Sequence, residues 1–307
     1  MSYLLIMNPG SRSGRGKRLW KTWESGLDRV GAEYACVFTD GIGYAIELAR
    51  TAEADVVVAV GGDGTINEVL DGVMQSGKPN LQMGVLYSGT SPDFCRFHGI
   101  PIDPKQAVDA LVSGRVNKVD VARITYHDAA GKERVAHFGC SCNVGMGASV
   151  ARFANKWRKY LGDIPGTGLG VVSAIAQNDR LDVSVEIDGN SFGLAEVNNL
   201  TIAKNPYIAS GLRLQLDLGP DDGKLAIVGI HGKGRAGILR MLPKFYSGSV
   251  AIDRGVFVRE CSSVVVSSRE PREIEFDGDP RGYLPVRIEI LPKALNLIGG
   301  NSEVYSK

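Results

Sequence analysis

Apolar residues follow two rhythms along this chain, and the change falls near residue 122. Before it, apolar runs at 3–7, 34–38, 55–60 and 82–86 alternate with stretches at 17–29, 44–50, 65–74 and 104–112. In those stretches apolar positions recur every three to four residues, the period of an amphipathic helix. Strand–helix alternation of this kind predicts an α/β domain with a doubly wound parallel sheet. Its ligands are expected at the rim formed by loops leaving the strand C-terminal ends. After residue 122 short alternating runs dominate, at 182–187, 212–218, 224–230, 264–268 and 286–291. Turn signals such as Asp188-Gly189-Asn190 separate some of them. This pattern predicts an antiparallel β-sandwich, interrupted by helical stretches at 150–160 and 234–246. Single cores rarely grow past roughly 250 residues, so 307 residues predict two domains. The boundaries expected are 1–122 and 123–291, with the tail at 292–307 returning to the first domain.

One loop carries the most chemistry. The β-branched run at 55–60 leads into Gly61-Gly62-Asp63-Gly64-Thr65, and Ile66, Val69, Leu70, Val73 and Met74 follow at helical spacing. Thr65 is therefore expected to open a helix. A glycine loop between a strand and a helix start exposes backbone N–H groups beside the positive helix end, which makes a phosphate cradle. Asp63 would repel bare phosphate, so a bound cation is the natural intermediary. A tight turn alone would need neither this many glycines nor an enclosed acid. The loop lacks the third glycine of the dinucleotide fingerprint, and the basic loop at 10–18 ends in Arg18 where a Walker loop has Ser or Thr.

The wording of this loop resembles the diacylglycerol kinase catalytic family, whose relatives include sphingosine, ceramide and NAD kinases. Ile6-Met7-Asn8-Pro9-Gly10-Ser11 is similar to the family's opening segment, and Leu86-Tyr87-Ser88-Gly89-Thr90-Ser91-Pro92-Asp93-Phe94 to its second nucleotide loop. Asp221-Asp222-Gly223-Lys224-Leu225 is similar to its structural metal turn, and Phe276-Asp277-Gly278-Asp279-Pro280 to its late Asp-Gly-Glu motif. The matches stand in the family's order over nearly the whole chain. The resemblance implies a nucleotide domain, a β-rich lipid-substrate domain and an active-site cleft between them. It implies transfer of the ATP γ-phosphate to the hydroxyl of a lipid alcohol such as diacylglycerol, with Mg²⁺.

The same resemblance assigns residues. Asn8, Ser11, Arg12, Thr39, Gly61, Gly62, Asp63, Gly64, Thr65, Asn67, Glu68, Gly89, Thr90 and Asp93 are expected to hold ATP and its metal. Asp63 has the alternative of capping the next helix, and Glu68 of simply facing a helix dipole. Asp93 has the alternative of an Asx-turn. Asp222, with the carbonyls of Gly219 and Lys224, is the implied structural Mg²⁺ site, against an ordinary turn. Asp279 stands for the family's general base, beside Asp63 as the second catalytic acid. Two departures matter: Pro92 replaces the usual Asn and removes an N–H, while Asp279 is shorter than Glu by about 1.5 Å, one C–C bond. Asp277-Gly278 alone would read as a hairpin turn.

Composition bounds the rest. A formal net charge of +1 provides no field to recruit nucleic acid. No segment approaches the roughly 20 apolar residues that span a bilayer. The expectation is a cytoplasmic protein making transient peripheral contact with the inner membrane face, where Arg152, Lys156 and Trp157 suit an anionic interface. A homodimer is compatible with the sequence. Five scattered cysteines read as free thiols. Two other function classes stay open: an NAD kinase-like enzyme, and a nucleotide- or lipid-binding regulator that has lost turnover.

Overall fold

The computed structural model describes residues 1–10, 15–208, 212–247 and 253–299. The chain divides into two compact units, one of Met1–Val121, Gly219–Asp222 and the C-terminal segment from Pro292, the other of Ala122–Leu218 and Gly223–Leu291.

The first unit runs β1 (Ser2–Met7), α1 (Arg15–Arg29), β2 (Glu33–Phe38), α2 (Tyr44–Thr51), β3 (Val56–Gly61), α3 (Asp63–Gln75), β4 (Gln82–Tyr87), α4 (Asp93–Phe97) and α5 (Pro104–Ser113). Strands pair in parallel in the order β2-β1-β3-β4, with Met7 opposite Phe38 and Val60, and Gly61 opposite Tyr87. Every residue of β3 is buried, which explains why its sequence is an unbroken apolar run rather than an alternation. Trp23 and Leu27 of α1 and Val108 and Leu111 of α5 pack with Val56, Val58 and Val60 in one core cluster. The start of α5 is set locally: Asp103 accepts the N–H groups of Lys105 and Gln106, and Pro104 occupies the first turn.

The second unit contains β5 (Arg115–His127, entering from the first unit), β6 (Glu133–Phe138), β7 (Ser141–Gly145), α6 (Met146–Leu161), α7 (Asp163–Gln177), β8 (Leu181–Ile187) and β9 (Asn190–Ala203). It continues with β10 (Tyr207–Ile208), β11 (Leu212–Arg213), β12 (Leu225–His231), α8 (Arg235–Ser247), β13 (Val256–Cys261), β14 (Ser263–Ser267), β15 (Glu273–Phe276) and β16 (Asp279–Gly299). It is β-rich, as the alternation predicts. The long strand β9 pairs with β8 through its first half and with β7 through its second. From β7 the ladder passes to β15 and β16, then through β14 back to β8. This closed circuit is antiparallel throughout and surrounds a core that includes Val144, Val185, Leu200, Ile202, Ile274, Phe276 and Ile288. The far end of β16 belongs to the first unit, where Asn296 and Leu297 pair in parallel with Gln82 and Met83 of β4.

Three expectations need correction. Helix α3 starts at Asp63 with Gly62 as its N-cap, two residues before Thr65. The alternating run at 212–218 is a strand only at Leu212–Arg213; Leu214 instead packs with Ile175, Ile238 and Met241, so its apolar period reflects contact with helices. Helix α7 was not anticipated. Two of its glycines mark close packing rather than a loop, because a Cβ on Gly166 would lie 2.6 Å from the Arg158 backbone nitrogen and one on Gly170 2.7 Å from that of Ala154, both on α6.

Candidate active site

In the first unit, four loops leave neighbouring strand ends side by side. Asn8 follows β1 and donates its N–H to Val60 at 3.1 Å, while Thr39 follows β2 and donates to Met7 at 2.9 Å. Ser88 follows β4 and donates to Gly61 at 2.8 Å. The glycines are steric necessities. A Cβ on Gly61 would meet the Thr65 Cβ at 2.5 Å, and one on Gly89 would meet the Gly62 Cα at 2.6 Å. The loops after β3 and β4 thus touch through their backbones, with Asp63 and Gly64 in the first turn of α3. Arg15 reaches across to the Gly89 carbonyl at 3.3 Å, and the Asn8 side chain turns back to accept the Gly10 N–H at 2.9 Å. Thr90 is exposed, whereas Gly89, Thr65 and Asn67 are buried. Ser11 and Arg12 lie outside the described residues.

Asp63 and Asp93 flank Tyr87. The tyrosine hydroxyl donates to Asp63 at 3.3 Å. Burial, and then the charge of Asp63, push its pKa far up, with Asp93 contributing. The buried Cys95 thiol is likewise raised by burial first and by both acids after it. Both acids are oxygen donors of the kind Mg²⁺ accepts and act on the same two neighbours; among the described residues no group of three or more His, Cys, Asp or Glu side chains forms a metal cluster. Pro92 is the N-cap of α4 and its carbonyl accepts the Arg96 N–H at 2.8 Å. At that position the missing proline N–H interrupts no helical bond. Ser91 donates to Asp93 at 3.2 Å. Glu68 has a structural task that its own helix does not reveal: it accepts the N–H groups of Gly43 at 2.8 Å and Ala45 at 3.3 Å, placing an acid at the positive end of α2.

In the second unit Asp277 and Gly278 join β15 to β16 as a two-residue hairpin, both with positive φ, the geometry of a type I′ turn. The Asp277 carboxylate accepts three backbone N–H groups, from Gly139, Cys140 and Ser141, at 2.9–3.0 Å. Burial raises its pKa while those amides pull the other way. Asp279 opens β16, its side chain 41% exposed and 3.7 Å from the Arg281 guanidinium. One residue beside this turn carried no readable signal in the sequence. Glu275 is buried at 5% exposure, and burial pushes its carboxyl up to about 8. Strand alternation alone would mark position 275 only as an acid on one face of a strand.

The expected structural-metal residues fall in different units. In the first, Asp222 accepts the Gly219 N–H at 2.7 Å, closing its own turn. In the second, the Lys224 carbonyl accepts from the Lys204 ammonium at 3.2 Å, and Lys204 is almost wholly buried. A cation of the protein's own thus already engages one of the three expected oxygens, and its charge opposes a second cation beside it.

Residues 2–124 match the model of the diacylglycerol kinase catalytic domain, and residues 140–299 match that of the YegS C-terminal NAD kinase beta sandwich-like domain. The chain belongs to the diacylglycerol kinase catalytic-domain family. Among its relatives, a diacylglycerol kinase of Staphylococcus aureus is 27% identical over 98% of this chain and 93% of its own length. One of Staphylococcus epidermidis is 27% identical over 92% and 86%. The fold is similar to the crystal structure of a diacylglycerol kinase from Bacillus anthracis, with a TM-score of 0.72 and 19% identity over 98% of this chain and 97% of that one. Yeast NADH kinase complexed with NADH shares it more distantly, with a TM-score of 0.55 and 12% identity over 97% and 82%.

Proposed function

We propose that the chain is an ATP-dependent lipid kinase that phosphorylates the hydroxyl of a lipid alcohol such as diacylglycerol. The observation that carries this reading is the interlocked pair of loops after β3 and β4. Gly61 and Gly89 admit no side chain there, and the first-turn N–H groups of α3 lie beside Asp63. Such a surface suits a polyphosphate, held by amides and the helix end. Asp63 and Asp93 would hold Mg²⁺, which supplies neutralisation of phosphate charge. The attacking lipid oxygen forms its bond to the γ-phosphorus as the bridging P–O bond to ADP breaks, and Asp279 takes the hydroxyl proton. The names of the Staphylococcus relatives support diacylglycerol as the acceptor class. Contact with the inner membrane face, where that substrate resides, completes the proposal.

The test is transfer of label from γ-labelled ATP to a panel of lipid alcohols in mixed micelles with Mg²⁺. Labelled lipid is expected from the wild type, and Asp279→Asn should cut turnover by roughly 10²–10⁴, the usual worth of a general base. No labelled lipid from any acceptor, with NADP formed in a coupled assay instead, would replace this reading with an NAD kinase.

A further inference from the structure

A chain of largely part-buried hydrogen bonds runs from the first turn of α6 to the Asp277–Gly278 hairpin, and its directions can be read from its fixed ends. The Gly147 N–H can only donate, and it points at the Asn199 side chain at 2.7 Å, so that atom is the amide oxygen. The Asn199 nitrogen then donates to the Thr201 hydroxyl at 2.9 Å. That leaves the Thr201 hydrogen for the Asn143 oxygen at 2.6 Å. The Asn143 nitrogen therefore faces Glu275 and donates to its Oε1. At the other end the Gly278 N–H, again a donor only, meets Glu275 Oε2 at 2.9 Å. Both carboxyl oxygens of Glu275 are thus called on to accept. A proton on either oxygen removes the negative charge that both donors meet and weakens the bonds to Asn143 and Gly278.

Resting on the kinase reading above, we propose that Glu275 is a positioning residue for Asp279: its carboxylate latches the Gly278 amide, and protonation releases the turn that presents the base. The latch opposes its surroundings. Burial favours the neutral acid, as do the charges of Asp277 and Asp279, and together they push the carboxyl up to about 8. The other groups around it are few. On β7 the Cys142 thiol is pushed well up by burial and stays neutral. On β16 Arg281 is engaged with Asp279, and on α6 Arg152 pairs with Glu273 at 3.2 Å. The partners from β9, Asn199 and Thr201, do not titrate. Gly147 completes the arrangement, since a Cβ there would lie 2.8 Å from the Asn143 Cβ and displace the amide that faces Glu275.

The experiment follows the Gly278 amide resonance and lipid phosphorylation together between pH 6 and 10. In the wild type both are expected to change with one midpoint near 8, kcat rising as Glu275 ionises while KM for ATP holds. Glu275→Gln always presents a donor to one of the two donors. It should fix the low-pH level, abolish the midpoint in both readouts, and lower kcat roughly tenfold at alkaline pH, the loss of one charged hydrogen bond. Glu275→Asp, which keeps the charge, should retain a midpoint. A role confined to stability would lower Tm in Glu275→Gln and leave the pH profile in place, and that outcome overturns the latch. A Gly278 amide that does not titrate in the wild type overturns it as well. A Gly278 midpoint near 8 in a protein that phosphorylates no lipid would leave the latch standing and remove the kinase reading.

Discussion

The loop after β3 and the turn before β16 adjoin Asp63 and Asp279, the two acids proposed for catalysis, and they are held by opposite means. At Gly61 and Gly89 the chain approaches itself so closely that a methyl group has no room. At Asp277 and Glu275 the chain is held by partners brought from residues 139–143, 199 and 201. The first device is an absence of side chain and is local, whereas the second is an accumulation of polar groups and is long-range. The first tolerates no added volume, and the second tolerates no unpaired donor.

Substitutions should separate the two devices, beginning with the greatest expected loss. Asp277→Ala strands three buried N–H groups at once. It should lower unfolding stability by about 3–5 kcal/mol, read by urea denaturation; a change below about 1 kcal/mol would mean that solvent replaces those bonds. Gly61→Ala forces overlap with Thr65 and should cost about 1–3 kcal/mol. It should also weaken ATP binding in calorimetry; unchanged affinity would remove the loop from the nucleotide site. Third comes the pH dependence of stability. The Glu275 carboxyl is raised in the folded chain to about 8 from 4.5. Between those values the folded chain holds a proton that the unfolded chain has released, so stability declines as pH rises through that window. Glu275→Gln should flatten the slope of Tm over pH 5–8, and an undiminished slope would assign it to other groups. The smallest effect concerns the turn at 219–224. Because the Lys204 ammonium stands on the Lys224 carbonyl, a chelator should leave the Tm of the nucleotide-free protein unchanged, and a fall of several degrees would reveal a structural metal.

Legibility in the sequence follows the same division. Strands β1 to β4 and helices α1, α2, α3 and α5 announce themselves because apolar period and glycine placement are local properties. The grouping of Asn8, Thr39, Gly61 and Gly89 on one sheet edge follows from parallel pairing. The strands β7, β9 and β15 are harder to read, because the buried polar residues Asn199, Thr201 and Glu275 and the half-buried Asn143 interrupt the apolar alternation. Each of them has a partner between 56 and 132 residues away, beyond any window of periodicity. The task of Glu68 was hidden for a similar reason: the helix it steadies is α2, not its own.

The pairing of Asn296 and Leu297 with β4 has a consequence for synthesis. A nascent chain has produced α1 to α5 long before it produces this last parallel strand, so β4 must wait with an open edge while the entire β-rich unit is translated. Domains usually fold in the order in which they emerge, but here the earlier one is completed last. An amino-terminal fragment ending near residue 124 would present the same unpaired edge permanently, and such edges are where chains stick to one another.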